Sequence, residues 1–179
     1  QIEVSFVDIT DLDVVEQAIR PETKMIYCES VSNPLLEVAD IKGLSGIAKS
    51  RGLPLVVDNT FTPLSIAPAR LGADIVIHSL TKFINGTSDT VAGAICASNE
   101  FCLSLKDVHD GAGIFLVSTL DSLRAASILK NMRTLHLRIK KHSENALFLA
   151  REFEKEGLRV VYPGLPSHPG HHLMKNQLV

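Results

Sequence analysis

Residues 76–93 read VIHSLTKFINGTSDTVAG. A short apolar run stops at His78, passes through Ser79 and Thr81, and reaches Lys82 before a cluster of turn residues. The run DIVIH has strand character, and a second run of small and branched residues, 91–97, follows the turn signals around Asn85-Gly86. Upstream, residues 68–71 read as one helical turn, and LPLVV at 53–57 is an apolar run of strand length ending on Asp58. Further out, Asp40 caps a helix that places Ile41, Leu44, Ile47 and Ala48 on one face and closes at Gly52. Residues 25–28 form another strand, preceded by a short helix capped at Thr10 or Asp11 and closed before Pro21, and residues 2–7 read as a first strand.

Short apolar runs alternating with helical periodicity are the pattern of an α/β fold, in which helices cover a mostly parallel sheet buried on both faces. Beyond Asn99 the pattern changes. Residues 119–156 are almost wholly helical, as two helices or one broken one, residues 158–162 read as a final strand, and the Pro/Gly/His-rich stretch 163–172 reads as a loop. There is no internal repeat and no glycine-rich dinucleotide fingerprint, which weighs against an oxidoreductase of that class.

Three strand ends carry groups with chemical potential. Asp58 follows its strand directly, where open α/β sheets place their ligands, although capping and turn roles are equally common for Asp. Lys82 lies just past the next strand beside two hydroxyls: an amine that can condense with an aldehyde, next to donors that suit a phosphate. Alone it would read as a surface lysine. Together with a strand-end carboxylate it matches what pyridoxal phosphate (PLP) requires, namely a Schiff-base lysine, an acid for the pyridinium nitrogen and phosphate donors. Asn33-Pro34 supplies a side-chain amide on a third strand-end loop, in what is otherwise an ordinary turn signal.

Eighteen basic and twenty acidic side chains give a formal charge of −2, which offers no footprint for a nucleic-acid backbone. No apolar run approaches the roughly 20 residues of a membrane span, and the first ten residues lack a signal-peptide pattern. Three cysteines without a CxxC pair argue against a disulfide framework or zinc site, so a reducing cytoplasmic location is expected. The seven histidines form no metal set at recognised spacing. Of the 179 residues, 45% are hydrophobic, enough for a buried core. The missing initiator Met and the ending NQLV suggest a segment of a longer protein.

The segments ESVSNPLLEVADI, VVDNTFTP, LGADIVIHSLTKFINGTSDTVAGAI and YPGLPSHPGHHL resemble, in order and spacing, the Cys/Met-metabolism (trans-sulfuration) family of fold-type I PLP enzymes. The resemblance covers nearly the whole chain, and the SLTK block is its most specific part. It implies the PLP-transferase large domain over residues 1–135 and a linker helix with the beginning of a small α+β domain over residues 136–179. It makes Lys82 the Schiff-base lysine and proton shuttle, Asp58 the partner of the pyridinium nitrogen, Ser79 and Thr81 phosphate ligands, and Asn33 the contact to the ring's phenolic oxygen. The implied substrate is a small sulfur amino acid and the implied assembly a homo-oligomer, for which the helical stretch after Thr119 offers apolar surface.

KDVHDGAGIFLVSTLDS and FTPLSIAPARLGAD look most like the methionine gamma-lyase branch, so a methionine or cystathionine gamma-lyase is the specific expectation. An O-acylhomoserine sulfhydrylase or cystathionine gamma-synthase shares every visible cofactor residue, and an inactive PLP-binding or structural module is the alternative outside enzymes. Gly86-Thr87 replaces the Gly-His of many members, and VSTLDSLRAASILKNMRTLHLRI replaces a Pro-Phe stretch leading to Leu-Arg-Gly-Leu. Relatives place a ring-stacking tyrosine before residue 1 and a substrate-binding arginine after Val179. This polypeptide by itself is therefore expected to turn over little or no substrate.

Overall fold

The computed structural model describes residues 2–115 and 119–179, so part of the stretch KDVHDGAGIFLVSTLDS lies outside the described residues. Helix α1 (Leu12–Ala18) starts where the Asp11 carboxylate accepts the amides of Asp13 and Val14. Strand β1 (Ile26–Glu29) leads to α2 (Ile41–Ser50), whose cap Asp40 accepts the Gly43 amide and whose buried stripe is Ile41, Leu44, Ser45 and Ala48. Strand β2 (Leu55–Asp58), a 3₁₀ turn (Pro68–Leu71), β3 (Ile75–Ser79) and a wide turn over Leu80–Ile84 follow, then β4 (Gly93–Cys96). The remaining elements are α3 (Asn99–Ser104), α4 (Ala112–Phe115), α5 (Ser122–Met132), α6 (Leu135–Lys155) and α7 (His171–Gln177).

The sheet runs β1-β2-β3-β4, with β1 and β4 at its edges. The first two pairings are parallel, with Glu29 level with Asp58 and Asp58 level with Ile77, and β4 joins antiparallel with Ser79 opposite Gly93. The α/β class and mostly parallel order agree with the expectation. The parallel register brings the carboxyl ends of β1, β2 and β3 to one rim.

Ile26, Cys28, Leu55, Val57 and Val76 project from one sheet face into a core completed by Val15, Ala39, Ile41, Leu44, Ala48, Ile66 and Ala73. Leu44, Leu55 and Ile41 are wholly buried, and each contributes about 1.5–3 kcal/mol relative to exposure. Met174 of α7 packs on the same core, and the Gln177 amide accepts the Ile41 N–H and donates to the Ala39 carbonyl, both at 3.0 Å. A second cluster, Ile84, Ile128 and Leu135 with Leu80, Ala92, Leu120 and Ile139, seats α5 and α6 on the turn that carries Lys82.

Several expectations are corrected. Burial of the second sheet face is confined to its middle: Val56, level with Tyr27, is 5% exposed, whereas Tyr27 and Ile95 on the edge strands are 53% and 48% exposed. Residues 2–7 are not a strand. Ile2, Val4 and Phe6 are exposed and pair with nothing among the described residues, and an apolar run becomes a strand only when a neighbour takes its backbone groups. Residues 158–162 likewise belong to no strand among the described residues. The histidine-rich stretch is a series of turns only to Gly170, since His171 already begins α7. The long helical pattern agrees with the expectation of two helices, which break at Arg133-Thr134.

Candidate active site

Three loops leave the rim and are fastened to one another by backbone-directed bonds. After β1, the Ser30 amide donates to the Asp58 carbonyl at 2.9 Å, and Glu29 Oε2 accepts the Asn33 N–H at 2.8 Å, which fixes the start of the Asn33 loop. After β2, the Asn59 amide donates to Ile77 O at 2.8 Å. The buried Asn59 side chain donates to the carbonyls of Thr62 and Ile66 and accepts the Thr62 hydroxyl at 2.6 Å. Because Thr62 commits its proton to Asn59, the 2.8 Å contact between the Ser30 and Thr62 hydroxyls has Ser30 as donor. The side chains of Ser30, Asn59 and Thr62 thus partner one another and nearby carbonyls.

Asp58 is half-buried. Its Oδ1 accepts the Thr60 amide at 2.9 Å and its Oδ2 takes a long 3.4 Å bond from the Tyr27 hydroxyl. Burial, then the charges of Asp58 and Glu29, push the Tyr27 phenol up to about 12, so it remains a proton donor across the neutral range. The Thr60 hydroxyl accepts the Ser79 amide at 2.9 Å and so ties the β2 loop to the end of β3. His78 is half-buried and its Nδ1 finds no partner among the described residues. Burial pulls its pKa down, against the opposing pull of Asp58, so the ring is neutral at pH 7.

Lys82 sits in the wide turn Leu80–Ile84, its own backbone non-helical at φ −89° and ψ −122°. The Asn85 amide closes on Leu80 O at 2.9 Å and the Gly86 amide on Lys82 O at 2.8 Å. Thr81 is fastened to Ala92: its hydroxyl accepts the Ala92 N–H at 2.9 Å and donates to the Ala92 carbonyl at 3.2 Å. Below the turn, Asn85 is buried. Its amide donates to Asp89 at 2.8 Å, and its oxygen accepts from Asn131 at 2.9 Å.

A cleft of about 550 Å³ opens over these loops, lined by Asn33, Thr60, Phe61, Thr81, Lys82, Phe83, Gly86, Ser88 and His142. Its size suits a small organic ligand. Of the five residues singled out from the sequence, Asn33, Thr81 and Lys82 meet on its wall, while Asp58 and Ser79 lie off the wall, each one bond from Thr60. Phe61, Phe83 and His142 form an aromatic side, with centroids 6.1 Å apart for both Phe61–Phe83 and Phe83–His142. Thr60 and Phe61 were missed although VVDNTFTP was marked as a segment, because nothing in the sequence pairs Thr60 with the Ser79 amide. His142 lies in α6 and reaches the cleft only through the fold, which no spacing in the sequence announces. The donor set, an amine, an amide and hydroxyls around a cleft with a strand-end carboxylate behind it, fits a phosphorylated aldehyde with a basic ring nitrogen.

Among the described residues, no group of three or more His, Cys, Asp or Glu is placed to hold a metal ion, and no helix is long and apolar enough to cross a membrane.

The family model described as Cys/Met metabolism PLP-dependent enzyme matches residues 1–179. The chain is 43% identical over 178 residues to methionine gamma-lyase of Arabidopsis thaliana, covering 99% of this chain and 40% of that protein. It is 43% identical over 181 residues to cystathionine gamma-lyase of Dictyostelium discoideum, covering 99% of this chain and 46% of that protein. To the probable cystathionine gamma-synthase of Herpetosiphon aurantiacus it is 40% identical over 177 residues, covering 97% of this chain and 54% of that protein. It therefore spans between two-fifths and about half the length of these relatives.

Proposed function

This chain belongs to the Cys/Met metabolism PLP-dependent enzyme family, and on that premise we propose that it is the cofactor-anchoring part of a carbon–sulfur lyase of methionine or cystathionine gamma-lyase type. The observation that carries the proposal is the convergence of Lys82, Asn33 and Thr81 on one cleft at the carboxyl rim of parallel strands, with Asp58 behind it. Pyridoxal phosphate, when bound, supplies an electrophilic aldehyde and a ring that accepts electrons released at the substrate's carbon.

The residues divide that work. Lys82 would hold the cofactor through its Nζ, and its amine is the group that would carry protons at the substrate's α and β carbons. Asp58, a half-buried carboxylate, would pair with the ring nitrogen and favour its protonated form. Asn33 would orient the ring by a side-chain hydrogen bond, and Ser79 and Thr81 would hold the phosphate. The 3.2 Å bond from the Thr81 hydroxyl to Ala92 O is the longer of that residue's two, and a phosphate oxygen is the stronger acceptor for the same proton. The substrate is a small sulfur amino acid, and the working assembly is a homo-oligomer in which residues 1–135 serve the large domain and residues 136–179 lead into the smaller one.

The test is to add pyridoxal phosphate to the protein, record the visible band of the lysine-bound cofactor, and repeat with Lys82→Ala. Loss of the band in the variant is expected, and identical spectra would remove Lys82 from the role. The second reading, a cystathionine gamma-synthase or O-acylhomoserine sulfhydrylase, draws on the 40% identity to the Herpetosiphon aurantiacus protein. Product analysis with methionine, cystathionine and acylated homoserine separates the two: thiol and 2-oxo acid release supports the lyase, and thioether formation from acylated homoserine supports the synthase.

A further inference from the structure

We propose that Arg138 is a positioning residue that holds the Lys82 turn in its cofactor-binding shape by clamping the two peptide carbonyls that follow Lys82. The proposal rests on the reading of Lys82 as the cofactor lysine. Arg138 lies in the first turn of α6, half-buried, 55 residues along the chain from Phe83. Its Nη1 donates to Phe83 O at 2.6 Å, and its Nη2 donates to Ile84 O at 3.0 Å and to Asn131 O at 3.2 Å. Its Nε donates to the Thr134 hydroxyl at 3.2 Å.

These carbonyls are the kind a helical turn leaves without partners: Phe83 and Ile84 end the Lys82 turn, and Asn131 lies in the last turn of α5. Two carboxyl ends, each with partial negative charge, thus converge on one guanidinium. Arg138 forms no ion pair with a carboxylate among the described residues. Its charge is met by peptide dipoles instead, which needs the flat five-donor fork of arginine and cannot be reproduced by a lysine ammonium with the same reach.

With Arg138 in place, the carbonyls of Leu80, Lys82, Phe83 and Ile84 are all engaged, the first two by the amides of Asn85 and Gly86. Gly86 makes the approach possible. It has φ +76°, and a Cβ there would collide with the Arg138 guanidinium. The sequence thus places a glycine four residues after Lys82 and an arginine in α6 that meet only in the fold. The Lys82 backbone is fixed from outside the cleft, by a residue that does not line it.

The experiment uses the full protein with and without pyridoxal phosphate and three variants: Arg138→Met, Arg138→Lys and Gly86→Ala. The cofactor dissociation constant, and the fraction of cofactor fixed on Lys82 by borohydride at saturation, are measured at a temperature where each variant is folded. Arg138→Met is expected to raise the dissociation constant at least tenfold and lower the trapped fraction. Arg138→Lys should recover part of the loss, and Gly86→Ala should shift both readouts in the same direction while leaving the arginine present. If Arg138→Met is folded and both quantities stay within twofold of the unaltered protein, the proposal is overturned. Should Arg138→Met fail to fold, the other two variants decide by the same twofold criterion.

Hydrogen exchange gives a readout independent of the cofactor. The amides of Asn85 and Gly86 should exchange at least tenfold faster in the variants, while those of α2 keep their rates. Unchanged exchange at both positions would overturn the clamp. If the unaltered protein shows no Lys82-dependent band, the reading of Lys82 has failed; exchange at Asn85 and Gly86 still decides whether Arg138 holds the turn.

Discussion

Replacing Gln177 should cost more stability than any other single change in α7. Its amide joins the last helix to the start of α2, 136 residues earlier, by accepting the Ile41 N–H and donating to the Ala39 carbonyl, both at 3.0 Å. Ala39 and Ile41 are 0% exposed and Gln177 is 6% exposed, so water does not replace the lost partner without rearrangement. The Ile41 N–H also donates to the Ala39 carbonyl at 3.0 Å, so Gln177→Met removes one of two bonds at each group without leaving either wholly unmet, which places its cost at about 1–2 kcal/mol. Gln177→Met keeps most of the side-chain volume and Gln177→Ala does not, so their difference isolates packing. For a chain of this length, 1–2 kcal/mol corresponds to a fall in melting temperature of roughly 2–8 °C. Urea and thermal unfolding of both variants, with exchange of the Ile41 amide as the local probe, measure it. A Gln177→Met loss below about 0.5 kcal/mol with an unchanged Ile41 exchange rate would refute the argument that these two groups depend on Gln177.

Two further outcomes follow from the site and the core. Thr60→Val keeps the shape of the side chain but removes the acceptor for the Ser79 amide. A cost of about 1–2 kcal/mol is expected because the site is only part-buried, together with a several-fold weaker pyridoxal phosphate affinity, while Thr60→Ser stays close to the unaltered protein; urea unfolding and cofactor titration check both. Cys28 has its thiol pushed up to about 12 by burial, then by the charge of Glu29, whereas its ordinary value is 9.0. Between those values the folded state binds the proton that the unfolded state has lost. Stability is therefore undiminished by this group below about pH 9 and declines as pH rises from there toward 12. Cys28→Val should flatten that decline in unfolding measurements, and alkylation at pH 8 should modify exposed Cys96 well before Cys28.

The parts legible in the sequence were those governed by local chemistry. The α2 helix was visible from its cap and its four-residue stripe, and β2 and β3 from short branched runs ending in polar residues, since burial on one side and capping on the other act within a few residues. Lys82, Asn33 and Thr81 could be nominated because their residue types suit a cofactor and their loops begin at strand ends. What stayed illegible depends on distant partners. Residues 2–7 have strand composition, yet no described neighbour takes their backbone groups. Thr60 acts on an amide 19 residues away and Arg138 on a carbonyl 55 residues away, and neither residue's own surroundings announce the bond. The exposure of the edge-strand residues is hidden for a related reason: Tyr27 and Ile95 carry the same apolar signal whether or not anything covers them.

The four-stranded order leaves β1 and β4 with an outer side each, and neither IYCE nor GAIC contains the lysine or proline that commonly guards a sheet margin. Rows of outward amides and carbonyls beside Tyr27 and Ile95 are templates for additional strands. Among the described residues no further strand pairs with either margin, so these are the two places where backbone pairing could extend the sheet.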